Sequence, residues 1–129
     1  MQKTSTFLMF VGEQCGKAEE AINFYVSLFD DSSVLAIERW PDSDLVQFCE
    51  FTLAGQHYLA SENTVNHQFT FTPAISIWVN CESEEEIDTL FNTLGDGGQP
   101  LMPLDNYGIG QKFGWVADRY GITWQLTLP

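Results

Sequence analysis

Hydrophobic and polar positions alternate most regularly near the end of the chain, over residues 113–128 (FGWVADRYGITWQLTL). From Ile122 to Leu128 every second residue is apolar, and the residues between them are threonines and Gln125. This period of two predicts a strand with one apolar and one polar face. Gly121 can take the positive φ that a tight turn often needs. The segment is therefore predicted to be a hairpin.

Two other segments have apolar residues at helical spacing. They predict helices over Ala18–Phe29 and Ser83–Leu94. Ser83 is a predicted N-cap, and Glu86, three residues later, completes a possible capping box. The glycine at position 95 is a natural end for the second helix.

Apolar or alternating segments predict the remaining strands. They are Thr6–Val11, Ser33–Trp40, Leu45–Leu53, Gln56–Ser61, Ala74–Asn80 and Gln99–Leu104. The order βαβββ then occurs twice. The helical segments AEEAINFYVSLF and SEEEIDTLFNTL match at one offset, which also aligns Leu59 with Trp124 and Ala60 with Gln125. The alternative is a chance match between two amphipathic helices, but the matching hairpins favour a true repeat of one supersecondary unit.

Composition and charge limit the class of protein. The 129 residues are 44% hydrophobic, which predicts one ordered domain. A net charge of −13 disfavours binding to nucleic acid or to an anionic membrane. No apolar run is long enough for a membrane span, and the N-terminus lacks a signal-peptide pattern. Three widely spaced cysteines predict reduced thiols and a cytoplasmic location.

Several motifs together resemble one family. The segments FLMFVGEQCGKAEEAINFYVSLFDDSSV, FTLAGQHYLAS, AISIWVNCESEEEID and FGWVADRYGITWQL, with a Gly-Gly pair before the last, are similar to the PhnB-like family. Many of its members are named 3-demethylubiquinone-9 3-methyltransferase, and it lies in the glyoxalase/bleomycin resistance/dioxygenase (vicinal oxygen chelate) superfamily.

The resemblance implies an α+β fold in a single domain over residues 1–129. Two βαβββ modules, about 5–62 and 73–129, would form curved sheets that face each other around a cleft, with the helices outside. It also implies a homodimer.

Many relatives hold a divalent metal through His, Glu or Gln on the first and last strands of each half. The matching positions here are Thr6 or Leu8, Ala60, Ala74 or Ser76, and Gln125. Of these, Gln125 alone offers a suitable donor, so the sequence predicts no metal site and no other cofactor. His57 is next to Tyr58 and is predicted to point away from the Tyr58/Ala60 face, and His67 is predicted to be a surface histidine.

The methyltransferase name has little support in the residues. Common S-adenosylmethionine enzymes need a glycine-rich turn between a strand and a helix. Here the glycines at 95, 97 and 98 follow a predicted helix, so they are interpreted as its end and a loop. The name is interpreted as an inherited label.

Alternation sorts the strand residues into two predicted faces. Those expected to pack under the helices are Phe51, Leu53, Leu59, Ile75, Ile77, Val79, Val116, Trp124 and Leu126. The opposite faces would carry Leu8, Phe10, Phe48, Glu50, Tyr58, Ala60, Ser76, Trp78, Phe113, Trp115 and Gln125. This second set is rich in aromatic residues with a few polar groups, which is typical of a small-molecule pocket. The alternatives are that the aromatic residues only fill the cleft or close a dimer interface.

The predicted pocket residues are Phe10, Phe48, Tyr58, Ala60, Ser76, Trp78, Trp115 and Gln125. Glu50, the only carboxylate of the set, is a candidate general base or, alternatively, a strand-edge residue in water. Two functions remain open: a protein that binds a small aromatic or oxygenated molecule, and a glyoxalase- or dioxygenase-type enzyme. The missing ligand set favours binding, and the sequence does not decide whether a reaction is catalysed.

Overall fold

The computed structural model describes residues 2–129, and the chain divides into two compact units. The first unit extends to Thr70 and the second comprises Phe71–Pro129. The strands are β1 (Thr6–Phe10), β2 (Ser33–Arg39), β3 (Val46–Leu53), β4 (Gln56–Glu62), β5 (Ser76–Asn80), β6 (Gln99–Asp105), β7 (Lys112–Ala117) and β8 (Thr123–Leu128). The helices are α1 (Ala18–Leu28) and α2 (Glu84–Gly95), and a single 3-10 turn covers Gly12–Gln14.

Each unit is one βαβββ module, which confirms the predicted repeat and α+β fold. The first sheet has the strand order β1-β4-β3-β2, and the second has the corresponding order β5-β8-β7-β6. Strand β1 runs parallel to β4, and β5 runs parallel to β8; the other neighbouring strands are antiparallel. Neither of the helices described in residues 2–129 is long and apolar enough to cross a membrane.

The two helices begin in different ways. The Ser83 hydroxyl accepts a hydrogen bond from the Glu86 backbone N–H at 3.1 Å, which confirms the predicted N-cap of α2. The Glu86 carboxylate accepts from the backbone N–H of Glu82 at 2.7 Å, one residue before the position of a standard capping box. Helix α1 has no side-chain cap of its own; the Glu62 carboxylate, from the end of β4, accepts from the Ala18 N–H.

The helix-covered face of each sheet can be read from these contacts. Glu62 bonds the start of α1, and it alternates along β4 with Ala60 and Tyr58, so these three side chains share the α1 side. In the second sheet, a Cβ at Gly114 would meet the Phe91 ring of α2. The α2 side therefore carries the residues in register with Gly114. They include Val116, Trp124 and Leu126, which are all fully buried as predicted.

The face prediction is wrong for β1 and β4. The antiparallel register pairs Phe51 with Tyr58 and Glu50 with Leu59. Tyr58 therefore lies on the buried side, together with Phe51, and Leu59 lies on the opposite side, together with Glu50. The parallel register then places Leu8 beside Ala60 on the buried side. Leu8, Phe10 and Ala60 are accordingly buried, as core residues under α1.

A difference in turn length explains the error. The β3–β4 turn has two residues, Ala54 and Gly55, both at positive φ, whereas three residues, Arg119 to Gly121, lie between the paired Asp118 and Ile122. The repeat offset is therefore 65 residues before the turn and 66 after it. Because a shift of one residue moves every side chain to the opposite face, Leu59 and not Ala60 corresponds to Gln125.

One smaller expectation also fails at the start of the second unit. Strand β5 begins at Ser76 instead of Ala74, and Ile75 is 73% exposed instead of packed under α2. Ile77 and Val79 are half-buried on the α2 side of the sheet, in register with Trp124 and Leu126.

Candidate functional site

The helix-free face of the second sheet carries five of the residues singled out from the sequence. We call this surface the tryptophan face; it comprises Ser76, Trp78, Phe113, Trp115 and Gln125. Gln125 of β8 lies between Trp78 of β5 and Trp115 of β7, its direct register partners on either side. The alternation predicted for this sheet is therefore confirmed, although the face assignment does not by itself test ligand binding.

A short chain of hydrogen bonds orients the Gln125 amide. The Thr123 hydroxyl donates to the Ile75 carbonyl at 3.0 Å, and the Ser76 hydroxyl lies 2.7 Å from the Thr123 hydroxyl oxygen. Since the Thr123 proton is already used, Ser76 donates to Thr123 and accepts from Gln125 Nε2 at 3.2 Å. Gln125 Oε1 has no partner among residues 2–129, so it is available as an acceptor.

The aromatic side chains of this face have unequal surroundings. Trp78 is 49% exposed, its ring centroid lies 5.9 Å from that of Phe113, and its Nε1 donates to Asn80 Oδ1 at 2.9 Å. Trp115 is half-buried, and its Nε1 is screened from solvent without any hydrogen-bond acceptor in the described part of the chain. A buried indole N–H without an acceptor is uncommon and costs free energy unless water or a ligand supplies the oxygen.

The helix-free face of the first sheet carries a glutamate–histidine pair. His57 Nδ1 lies 2.9 Å from Glu50 Oε2, and the side chains are 32% and 22% exposed, respectively. Phe48 lies on the same face as Glu50, because both alternate with the buried Cys49. The prediction that His57 points away from the Tyr58/Ala60 side is confirmed, and that direction brings it to Glu50.

The structure does not bring the predicted pocket residues together on one face. Phe10, Tyr58 and Ala60 lie on the α1 side of the first sheet, and Tyr58 stacks on Phe51 with ring centroids 5.4 Å apart. Burial raises the pKa of the Tyr58 hydroxyl. Phe10 and Ala60 belong to the core of the first unit and Tyr58 is half-buried on the same side, whereas Phe48 and Glu50 remain on the helix-free face.

Two buried carboxylates, Glu62 and Asp118, were not predicted from the sequence. Glu62, the last residue of β4, accepts from the backbone N–H groups of Gly16, Ala18 and Val46 at 2.6, 3.3 and 2.9 Å. Asp118 accepts from two backbone N–H groups of its own turn and from Trp124 Nε1 at 3.0 Å. The Asp-x-x-Gly turn was a usable signal for Asp118. No local signal marks Glu62, because its partners are distant in sequence.

The residues present do not fit the metal site that the family resemblance implies. On the helix-free faces, Gln125 corresponds to Leu59, and Trp78 corresponds to Phe7, by the register of the two parallel pairs. Within residues 2–129 no three His, Cys, Asp or Glu side chains lie close enough together to hold an ion. One amide oxygen with hydrocarbon neighbours is a poor donor set for a divalent cation.

The glycines after α2 have a packing role. Gly97 has a φ of +80°, and a Cβ at Gly98 would collide with the backbone of Ala117 and Asp118. Glycine at 98 is therefore required by the close approach of this loop to the end of β7. The loop follows a helix and not a strand, so it differs from the cofactor turn of common methyltransferases.

Comparisons with known proteins agree on the family. The model of the family described as 3-demethylubiquinone-9 3-methyltransferase matches residues 2–127. A solved structure described as a putative 3-demethylubiquinone-9 3-methyltransferase, PhnB protein, from Bacillus cereus is 51% identical, with 99% of this chain and 100% of that chain covered and a TM-score of 0.91. No protein of curated function matches the chain.

More distant structures share the fold. A protein from Pseudomonas aeruginosa is 24% identical over 99% of this chain and 98% of its own, with a TM-score of 0.84. A glyoxylase/bleomycin resistance protein/dioxygenase domain from Frankia is 16% identical over 99% of this chain and 97% of its own, with a TM-score of 0.68. The chain therefore belongs to the PhnB-like family that carries the 3-demethylubiquinone-9 3-methyltransferase name, and it shares its fold with a glyoxylase/bleomycin resistance protein/dioxygenase domain.

Proposed function

We propose that this protein binds a small aromatic or oxygenated molecule on the tryptophan face. The observation that carries the proposal is the indole N–H of Trp115, which has no acceptor within residues 2–129; Trp115 is the register partner of Gln125, whose Oε1 also has no partner there. Because this N–H is screened from solvent, a ligand with one carbonyl or hydroxyl oxygen would satisfy it once the Trp115 side chain turns toward the face, and a hydroxyl proton would go to Gln125 Oε1. The rings of Trp78 and Trp115 would supply apolar contact area.

Charge narrows the class of ligand. The chain carries a net charge of −13, and the only lysine of strand β7, Lys112, points to the α2 side, where it bonds Glu84 and Asp88. The tryptophan face thus has no cation of its own to offset repulsion of an anion. A neutral ligand is the expected class.

The chemistry of the face favours binding over catalysis. Its five side chains include no carboxylate, imidazole or thiol, so they offer no group suited to proton transfer or nucleophilic attack; Asp105, the register partner of Phe113, lies at the exposed end of edge strand β6. The alternative, a glyoxalase- or dioxygenase-type enzyme, needs an acid–base group or a metal. The observation in its favour is the Glu50–His57 pair on the other sheet.

Assembly and location are further parts of the proposal. The protein is expected to form a homodimer, in keeping with its family. Exposed apolar side chains such as Leu35 on edge strand β2 are consistent with a covered surface. Its three free cysteines are consistent with a reducing, cytoplasmic location. Light scattering at micromolar concentration tests the dimer, and a monomer would contradict it.

Tryptophan fluorescence tests ligand binding. Neutral compounds with one ring and one oxygen, such as acetophenone, benzamide and phenol, would be titrated into the protein. Trp115→Phe keeps the ring but removes the N–H, and is expected to weaken the best ligand about tenfold. Trp40→Phe is the matched control, because the Trp40 N–H already donates to the Glu62 carbonyl in the first unit. Equal affinities of the two variants would contradict the proposal.

A further inference from the structure

The Glu50–His57 pair lies on the first sheet, whereas the tryptophan face belongs to the second. Glu50 lies on β3 and His57 on β4, and their side chains meet diagonally across the two strands. A carboxylate only accepts hydrogen bonds, so the Nδ1 atom, 2.9 Å from Glu50 Oε2, carries the proton. In the neutral imidazole, Nε2 is then the atom with the free electron pair.

The backbone of His57 is also held in position. The Gln2 side chain accepts from the His57 N–H at 3.1 Å and donates to the His57 carbonyl at 3.3 Å. Gln2 thus holds the main chain of His57, and Glu50 holds its ring. Such positioning from two directions is what an acid–base group requires.

A polar hollow adjoins His57. It has a volume of about 280 Å³ and is lined by His57 and by Gln2, Thr4, Ser5, Thr6, Gln56 and Tyr58. Hydroxyl and amide side chains of this kind form hydrogen bonds with the oxygen atoms of a small ligand. The hollow, unlike the tryptophan face, adjoins a group that can accept a proton.

We infer that Glu50 and His57 form an acid–base site for a small molecule with a weakly acidic hydroxyl group. The ligand O–H bond breaks, its electron pair stays on oxygen, and the proton forms a new N–H bond at His57 Nε2. The Glu50 carboxylate stabilises the resulting imidazolium, and no oxidant or reductant is needed. The site goes beyond the proposed binding function, because it predicts ionisation of a ligand on the first sheet.

The other histidine provides an internal comparison. His67 Nε2 lies 3.0 Å from Asn63 Oδ1, and its ring packs on Phe69 with centroids 4.7 Å apart. No carboxylate orients its ring, so the imidazolium has no partner charge of this kind. The ring of His57 therefore has a carboxylate partner, whereas that of His67 is bonded to an amide oxygen.

The test uses 4-nitrophenol, whose ionised form has its own visible absorbance. The protein is added at a pH at which the free phenol is mostly neutral, and the phenolate band is followed. The net charge of −13 would by itself disfavour a bound phenolate, so an increase in the band requires a local positive charge, which the His57 imidazolium supplies. The intact protein is expected to increase the band, and His57→Gln and Glu50→Gln are expected to reduce that increase about tenfold.

Controls keep the outcomes distinct. His67→Gln should leave the increase unchanged, and Trp78→Ala tests whether the tryptophan face carries the signal, with circular dichroism used to confirm that every variant is folded. No increase with the intact protein, or equal signals from the His57→Gln and His67→Gln variants, would overturn the inference. Loss of the signal in Trp78→Ala would assign it to the tryptophan face and overturn the inference while leaving the proposed function in place.

Discussion

The Tyr58 ring stacks on the Phe51 ring, with centroids 5.4 Å apart and planes inclined by 18°. This pair is the clearest sign that β4 turns Tyr58, Ala60 and Glu62 toward α1. It also places Leu59 on the same face as Glu50, where the register makes it the counterpart of Gln125. The helix-free face of the first sheet thus carries the Glu50–His57 pair, whereas that of the second sheet carries Trp78 and Trp115.

Charges at adjacent positions of β4 test this register. Ala60 is fully buried under α1, so Ala60→Asp is expected to lower the free energy of unfolding by about 4 kcal/mol, because it buries an unpaired carboxylate. Leu59 is half-buried on the opposite face, and Leu59→Asp should cost less than half as much. Urea unfolding of both variants measures the difference. A larger loss for the Leu59 variant would mean that the strand faces the other way.

The Glu62 carboxylate ties three separate segments together through backbone N–H groups. Glu62→Gln keeps the size of the side chain but turns one acceptor oxygen into a donor that faces an N–H. We expect the free energy of unfolding to fall by about 2 kcal/mol. Glu85→Gln, at an exposed position in the first turn of α2, is the matched control and should change it by less than ~0.5 kcal/mol. Equal changes in the free energy of unfolding for the two variants would show that the Glu62 carboxylate does not stabilise the fold.

The buried thiols should be unreactive in the folded protein. Burial raises the pKa of Cys49 from 9.0 to about 11 and that of Cys81 to about 12, while Cys15, half-exposed, has its pKa raised by burial and by the Glu62 charge. A disulfide reagent should therefore modify Cys15 alone until the protein unfolds, when all three cysteines react. The Cys49→Ala variant keeps Cys15 and Cys81. Rapid modification of both by the reagent in the native state would contradict this prediction.

The same shifts predict the direction of a pH effect. Between pH 9.0 and about 11 the native Cys49 thiol holds a proton that the unfolded chain has lost. Stability from this group is therefore complete below pH 9.0 and decreases as the pH rises through the folded value. Cys49→Ala should reduce the loss of stability over that range, as measured by urea unfolding at successive pH values.

Protein purified without a chelator is expected to carry no stoichiometric divalent metal at Gln125. The reason is the donor set: one amide oxygen, with Trp78 and Trp115 as its neighbours across the strands. Elemental analysis of the intact protein and of Gln125→Ala measures this, with Gln111→Ala as the control. One equivalent of zinc, nickel, iron or manganese that is lost only in Gln125→Ala would show that a metal site exists.

The repeat and most strand positions could be predicted because local patterns encode them. The tryptophan face follows from simple alternation around Gln125. The faces of β1 and β4 could not be predicted by applying one repeat offset on both sides of the hairpin turn. The turn that ends at Gly121 has one residue more than its counterpart, which changes the offset between the two halves by one. The Glu50–His57 pair depends on the same register. Glu62 was missed because its acceptor role comes entirely from tertiary contacts.

The indole N–H signals of the four tryptophans test the central claim most directly. Trp40, Trp78 and Trp124 each donate to a protein oxygen at 2.7, 2.9 and 3.0 Å, whereas Trp115 has no acceptor within residues 2–129. In a ¹⁵N–¹H spectrum, titration with a neutral aromatic carbonyl compound is expected to shift the Trp115 indole signal most, because the ligand oxygen supplies its missing hydrogen bond. Assignment comes from single Trp→Phe variants. A ligand that binds while the Trp115 signal stays unchanged would contradict the account.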